Sequence, residues 1–169
     1  GGGGHDTITG GSGRDKAFGG DGNDDIDGGA GRDVLNGNAD NDFIQGEGGA
    51  DIVRGGSGSD DLSGNGGNDT VNGGSGADRI YGGTGADKLL GGTGNDQIVD
   101  TAGANYMSGG SGMDSIYGGT GRDTILGGDG DDEIDGGDDA DLLNGGADND
   151  SVTGGNGADI VRGGGGDDL

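Results

Sequence analysis

No cysteine occurs anywhere in the 169 residues, which excludes disulfides and thiolate zinc sites. Proline is missing as well. Glycine supplies 53 residues, yet no Gly-X-Y period runs through them, so a collagen triple helix is excluded. Lysine and arginine together number 8 against 33 acidic residues, for a net charge of -25. That balance leaves no basic surface for nucleic acid or for anionic lipid. No apolar run approaches the length of a membrane span. The single histidine, His5, stands without the oriented partners that nucleophilic or acid–base catalysis requires, and it is expected to be solvated. What is left is 25% hydrophobic and 3% aromatic. Low hydrophobicity with high charge of one sign predicts disorder, unless something neutralises the acid.

The order of the residues points the other way. Residues 73–99 read GGSGADRIY, GGTGADKLL, GGTGNDQIV. From Gly1 the same nine-residue frame runs to the end without insertion or deletion, giving eighteen full units and then GGGGDDL. Written as a pattern it is G-G-x-G-x-D-x-U-x, with U aliphatic. The first position is Gly in eighteen of nineteen units, Asp100 being the exception. The sixth is Asp in eighteen of nineteen, with Asn105 the exception, and the eighth is apolar in every unit that reaches it. Positions three, five, seven and nine vary freely. A low-complexity Gly/Asp tract does not hold phase in this way.

The period selects the fold. Residues nine apart fall on opposite sides of an α-helix, and interior glycines cost about 0.8–1 kcal/mol each, so helix is excluded. Positions seven to nine fit a short strand with the eighth residue inward, and the six residues before it form a glycine turn. Strand, turn, strand, turn makes a coil of eighteen residues, so residue i lies beside i+18. The expectation is an all-β parallel β-roll of about nine coils, with a thin aliphatic core between two sheets. Residues 1–169 are expected to form a single repeat block within a longer protein.

Stacking also raises a charge problem. Aspartates in consecutive coils, such as Asp78 and Asp96, lie about 4.8 Å apart and repel by roughly 3.5 kcal/mol at an effective dielectric of 20. A dication between coils reverses the sign. Hard carboxylate and carbonyl oxygens suit Ca²⁺ better than Mg²⁺, which demands tighter octahedral geometry.

The nonapeptide resembles the RTX (repeats-in-toxin) calcium-binding repeat, and the resemblance covers the whole chain. It implies several Ca²⁺ ions held between turns of adjacent coils by aspartate carboxylates and glycine carbonyls. The candidate ligands are Asp6, Asp15, Asp24, Asp33, Asp42, Asp51, Asp60, Asp69, Asp78, Asp87, Asp96, Asp114, Asp123, Asp132, Asp141, Asp150, Asp159 and Asp168. It also implies an extracellular, secreted or cell-surface location in bacteria and no enzymatic role. The reading is a module that folds from disorder on binding calcium. Two alternatives stand beside it. One is a filament, surface-layer or adhesin building block. The other is the non-catalytic repeat region of an exported protease, lipase or toxin. Ice binding through GTGND turns is not expected, because that string occurs once, at 92–96.

Local departures carry their own expectations. The unit at 100–108, DTAGANYMS, loses both leading glycines and its aspartate, and is expected to weaken the sites shared with the turns of Asp87 and Asp123. Asn38, Asp40, Glu47, Asn65, Asp139 and Asp148 replace glycine at turn positions. Asn and Asp tolerate positive φ, so Glu47 is the least comfortable of the six. Phe18, Val34, Ile52, Leu90, Tyr106, Leu126, Leu142 and Ile160 form an outward apolar stripe on the even-numbered units. Self-association is expected through that stripe or through open coil ends.

Overall fold

A computed structural model describes residues 1–169 in full. The chain is all β, with nineteen strands and no helix, and so has no helix long and apolar enough to cross a membrane. Strands alternate between two parallel sheets. The ten-stranded sheet runs from Gly2–Gly3 to Ile160–Gly165, and the nine-stranded sheet from Thr7–Gly13 to Ser151–Thr153. The register is eighteen residues throughout: Leu62 pairs with Ile80, Ile80 with Ile98, and Ile98 with Ile116. The molecule is therefore a parallel β-solenoid of about nine turns, as the period requires.

Most strands are longer than the spacing predicts. Lys88–Thr93, for example, continues through the first three positions of the next unit. Its exposed and buried residues alternate, so Leu89 and Gly91 both face inward. The glycine turn thus begins as strand, and a residue with no side chain occupies the second inward place. The core itself is single-file. Fifteen residues from Ala17 to Leu143, each at the eighth position, form one cluster, with Ile8 and Val152 packed partly against it.

Glycine at the second and fourth positions answers to a close approach. Gly74 has φ 114°, and a Cβ there would strike the carbonyl oxygen of Gly56 in the preceding coil. The six substituted turn positions do adopt positive φ: Asn38 85°, Asp40 72°, Glu47 70°, Asn65 67°, Asp139 81° and Asp148 75°. These values lie in or near the left-handed well open to L-residues, and the turns survive. Glu47 is accommodated with the rest.

Three substitutions probe this architecture. Ile98→Ala removes a fully buried side chain from a core one residue deep, and should cost about 2–5 kcal/mol in urea denaturation of the folded chain. Gly74→Ala should lower the urea midpoint, whereas Asn65→Gly should hold or raise it.

Candidate metal centres along the turns

Each sixth-position aspartate sits where the turn re-enters a strand, facing the coil on either side of its own. Its Oδ1 accepts the backbone N–H of the aspartate one coil earlier. On one side of the roll this ladder runs unbroken from Asp6 through Asp24, Asp42, Asp60, Asp78, Asp96, Asp114, Asp132 and Asp150 to Asp168. On the other it runs from Asp15 through Asp33, Asp51, Asp69, Asp87, Asn105, Asp123 and Asp141 to Asp159. Asp78 N–H meets Asp96 Oδ1 at 2.8 Å.

The second carboxylate oxygen has no such partner. In fifteen sixth-position aspartates, from Asp15 to Asp150, Oδ2 is buried without any hydrogen bond. These oxygens converge on the space that glycine leaves at the first position of the same unit. A Cβ on Gly73 would collide with Asp78 Oδ2 and lie 2.7 Å from the carbonyl oxygen of Gly91 in the next coil. On Gly64 it would lie 2.5 Å from Asp69 Oδ2 and 2.9 Å from Gly82 O. First-position glycine therefore keeps open an interior cradle in which a carboxylate oxygen and a carbonyl oxygen from adjacent coils face one another. No cluster of three or more His, Cys, Asp or Glu side chains forms a metal-ligating group. A cation held here would have to draw on backbone carbonyls as well.

Burial is uneven along the array. Fourteen of the predicted ligands, from Asp24 to Asp150, are buried, Asp6, Asp15 and Asp159 are half-buried, and Asp168 is exposed. Asp6 Oδ2 also differs from the others, since it accepts the N–H of Gly2 at 3.1 Å. Desolvation pushes the carboxyls of Asp60, Asp69, Asp123 and Asp132 up to about 6, and that of Asp96 up to about 7. It outweighs the stabilising N–H bond that each accepts, and neighbouring carboxylates add to the rise. Asp42, Asp51, Asp78, Asp87, Asp114 and Asp141 move in the same direction for the same leading reason.

Two features escaped the sequence reading. Asp100, at a position read only as a lost glycine, is fully buried, and burial pushes its carboxyl up to about 7. Position five, read as free to vary, carries outer ladders of its own. Asn23, Asn41, Asn95 and Asn149 each accept, through the side-chain oxygen, the N–H of the residue eighteen later, at 3.1, 2.7, 2.9 and 2.9 Å. Asn68, on the other side of the roll, makes the same contact with Ala86 N–H at 2.9 Å. His5 is exposed, with Nδ1 2.8 Å from the carbonyl oxygen of Asn23.

A solenoid of acidic nonapeptide turns, with paired oxygen donors repeated along both sides, defines a class of cation-holding repeat protein. The family described as RTX calcium-binding nonapeptide repeat (4 copies) matches residues 1–35, 27–62, 63–98, 90–123, 108–143 and 135–169. The chain belongs to this family. No curated protein matches it at a significant level. The family and the solenoid fold are structural rather than catalytic, and RTX repeat proteins are typically secreted by bacteria. Calcium, the ion the family implies, fits the donors present. They are hard oxygens, buried and unpartnered, on a chain with a large negative charge.

The raised carboxyl pKa values give a pH test with a definite sign. In the unfolded chain these groups titrate near 3.8, and in the cation-free roll near 6–7 where the shift is largest. Between those values the roll binds more protons than the unfolded chain. Cation-free stability should therefore be greatest below about pH 4 and fall as pH rises through 6–7. Protons and calcium both bind the roll in preference to the unfolded chain, so the calcium midpoint for folding should fall as pH falls from 8 to 6. Far-UV circular dichroism during calcium titration, with sedimentation to separate precipitation near the point of zero charge, checks both. A midpoint independent of pH contradicts them.

Proposed function

We propose that the chain is a calcium-dependent structural module that passes from disorder to a β-roll when Ca²⁺ enters the turns. The observation that carries this reading is the row of fifteen buried, unpartnered aspartate Oδ2 atoms. Asp24 through Asp150 are the principal ligands, with Asp6, Asp15, Asp159 and Asp168 contributing from the outer coils, and glycine carbonyls completing each site. Bound calcium supplies positive charge between stacked carboxylates. The chain's own residues hold the geometry: Oδ1 is fixed by the N–H behind it, and first-position glycine keeps the cradle open. The ion then stabilises the folded state only, and each occupied site adds to stability by mass action.

The module is read as extracellular, because RTX repeat proteins are typically secreted and because the mechanism needs calcium at levels found outside cells. It serves as a folding switch or spacer without catalysis of its own, alone or as the repeat region of an exported enzyme or toxin. In excess chelator the far-UV spectrum should be that of a disordered chain, and calcium should convert it cooperatively to β. Asp78→Asn with Asp96→Asn keeps two ladder acceptors and removes two charges, and should raise the calcium midpoint several-fold. A spectrum already rich in β under chelation would sink this reading.

A second reading, self-association into a filament or surface layer, draws on the outer face of the ten-stranded sheet. Phe18, Tyr106 and Ile160 are exposed there, while Val34, Ile52, Leu90, Leu126 and Leu142 are partly so. Ile52→Asp with Leu142→Asp should abolish any calcium-dependent assembly seen in sedimentation. An unchanged sedimentation profile would mean that the stripe has no part in assembly.

A further inference from the structure

The unit at 100–108 departs from the frame in two places, and the fold brings the two changes into relation. Asn105 keeps its rung, accepting the N–H of Asp87 at 2.9 Å and donating its own N–H to Asp123 Oδ1 at 2.8 Å. What it cannot supply is the second carboxylate oxygen. Its Nδ2 takes that place and is buried without a partner. Asp100 meanwhile stands where every other unit has glycine.

The carboxylate of Asp100 reaches the neighbouring cradle instead. Asp100 is fully buried, and its Oδ1 accepts the N–H of Ala102 at 2.9 Å. Its Oδ2 has no partner. A Cβ on Gly82 would collide with that oxygen and lie 3.0 Å from Oδ2 of Asp87, which is equally unpartnered and 3% exposed. At Gly64 and Gly91 the corresponding places hold one carboxylate and a glycine carbonyl of the next coil. The cradle over Gly82 holds two carboxylates. The acid lost at 105 would have served the cradle of its own unit, whereas the acid gained at 100 enters the cradle over Gly82 beside Asp87.

We propose that Asp100 is a relocated calcium ligand, forming with Asp87 a two-carboxylate site over Gly82. The degenerate unit then gives up only the site between the turns of Asn105 and Asp123, and not both of its sites. The inference rests on the calcium reading of the whole array. It is chemically reasonable because two buried carboxylates facing one cradle repel unless a cation joins them, and two acids with backbone carbonyls are a hard-oxygen set suited to Ca²⁺.

The test counts ions on the intact chain after refolding in calcium, using native mass spectrometry to resolve single ions and circular dichroism to confirm the fold. Asp100→Asn should carry one calcium fewer than the natural sequence. Should that variant misfold, Asp87→Asn keeps its ladder acceptor, removes the other carboxylate of the pair and should also lose one ion. If a proton rather than a cation joins Asp87 and Asp100, both single variants keep the full count, and the inference is overturned. A natural chain that binds no calcium overturns the reading of the whole array and this site with it. A calcium-loaded natural chain whose count survives Asp100→Asn overturns this inference alone.

Discussion

Each sixth-position aspartate divides its carboxylate between two neighbours, and the rest of the structure is arranged around that division. One oxygen is held by an N–H from the coil behind, as Asp96 Oδ1 is held by Asp78. In fifteen of them the other is driven into a cradle where the protein offers no donor. The first contact aligns consecutive coils at the turn, and the strands on either side keep that alignment in eighteen-residue register. The second leaves a column of negative charge inside a thin solenoid. On the calcium reading proposed above, an external positive charge settles the column, and its absence leaves each buried carboxylate to be desolvated unaided.

The core explains why such a condition can operate. One apolar residue per nine, lined up in two rows, is all that is buried apart from the aspartates, Asn105 and glycines. A chain with 53 glycines loses much conformational entropy on ordering, and so small a core does little to offset it. A larger core would hold the roll closed whatever the ionic conditions. On the same reading, economy of apolar surface and excess of acid work together, the first leaving little to hold the roll without a cation and the second giving a cation its ligands.

Much of this was legible in the sequence because the frame never slips. Period, sheet assignment, the identity of the core and the eighteen-residue register all follow from counting, and Ile80 beside Ile98 is where counting puts it. The tolerance of Asn38, Asp40, Asn65, Asp139 and Asp148 followed from backbone preferences of their side chains. What could not be read was how atoms share roles across coils. Strand continues into the first three positions because an inward glycine still obeys the two-residue alternation. The asparagine contacts at position five join residues eighteen apart, so a nine-residue tally does not show them. Asp100 looked like simple loss, because a sequence shows that a glycine is gone and not which cradle the new side chain enters.

The contrast between those two ladders bears on why the inner one is acidic. An amide is enough to hold a rung: Asn23, Asn41, Asn95 and Asn149 do so on the outer surface, and Asn105 does so within the inner ladder itself. Asparagine would spare the chain the desolvation of fourteen buried carboxylates and a repulsion of roughly 3.5 kcal/mol for each adjacent pair. Yet eighteen of nineteen inner rungs are aspartate. Backbone alignment alone gives no reason to prefer the costlier residue. The preference has a physical basis only if the second oxygen is used, and where the protein offers that oxygen no N–H it can still take up a cation, which an amide nitrogen cannot.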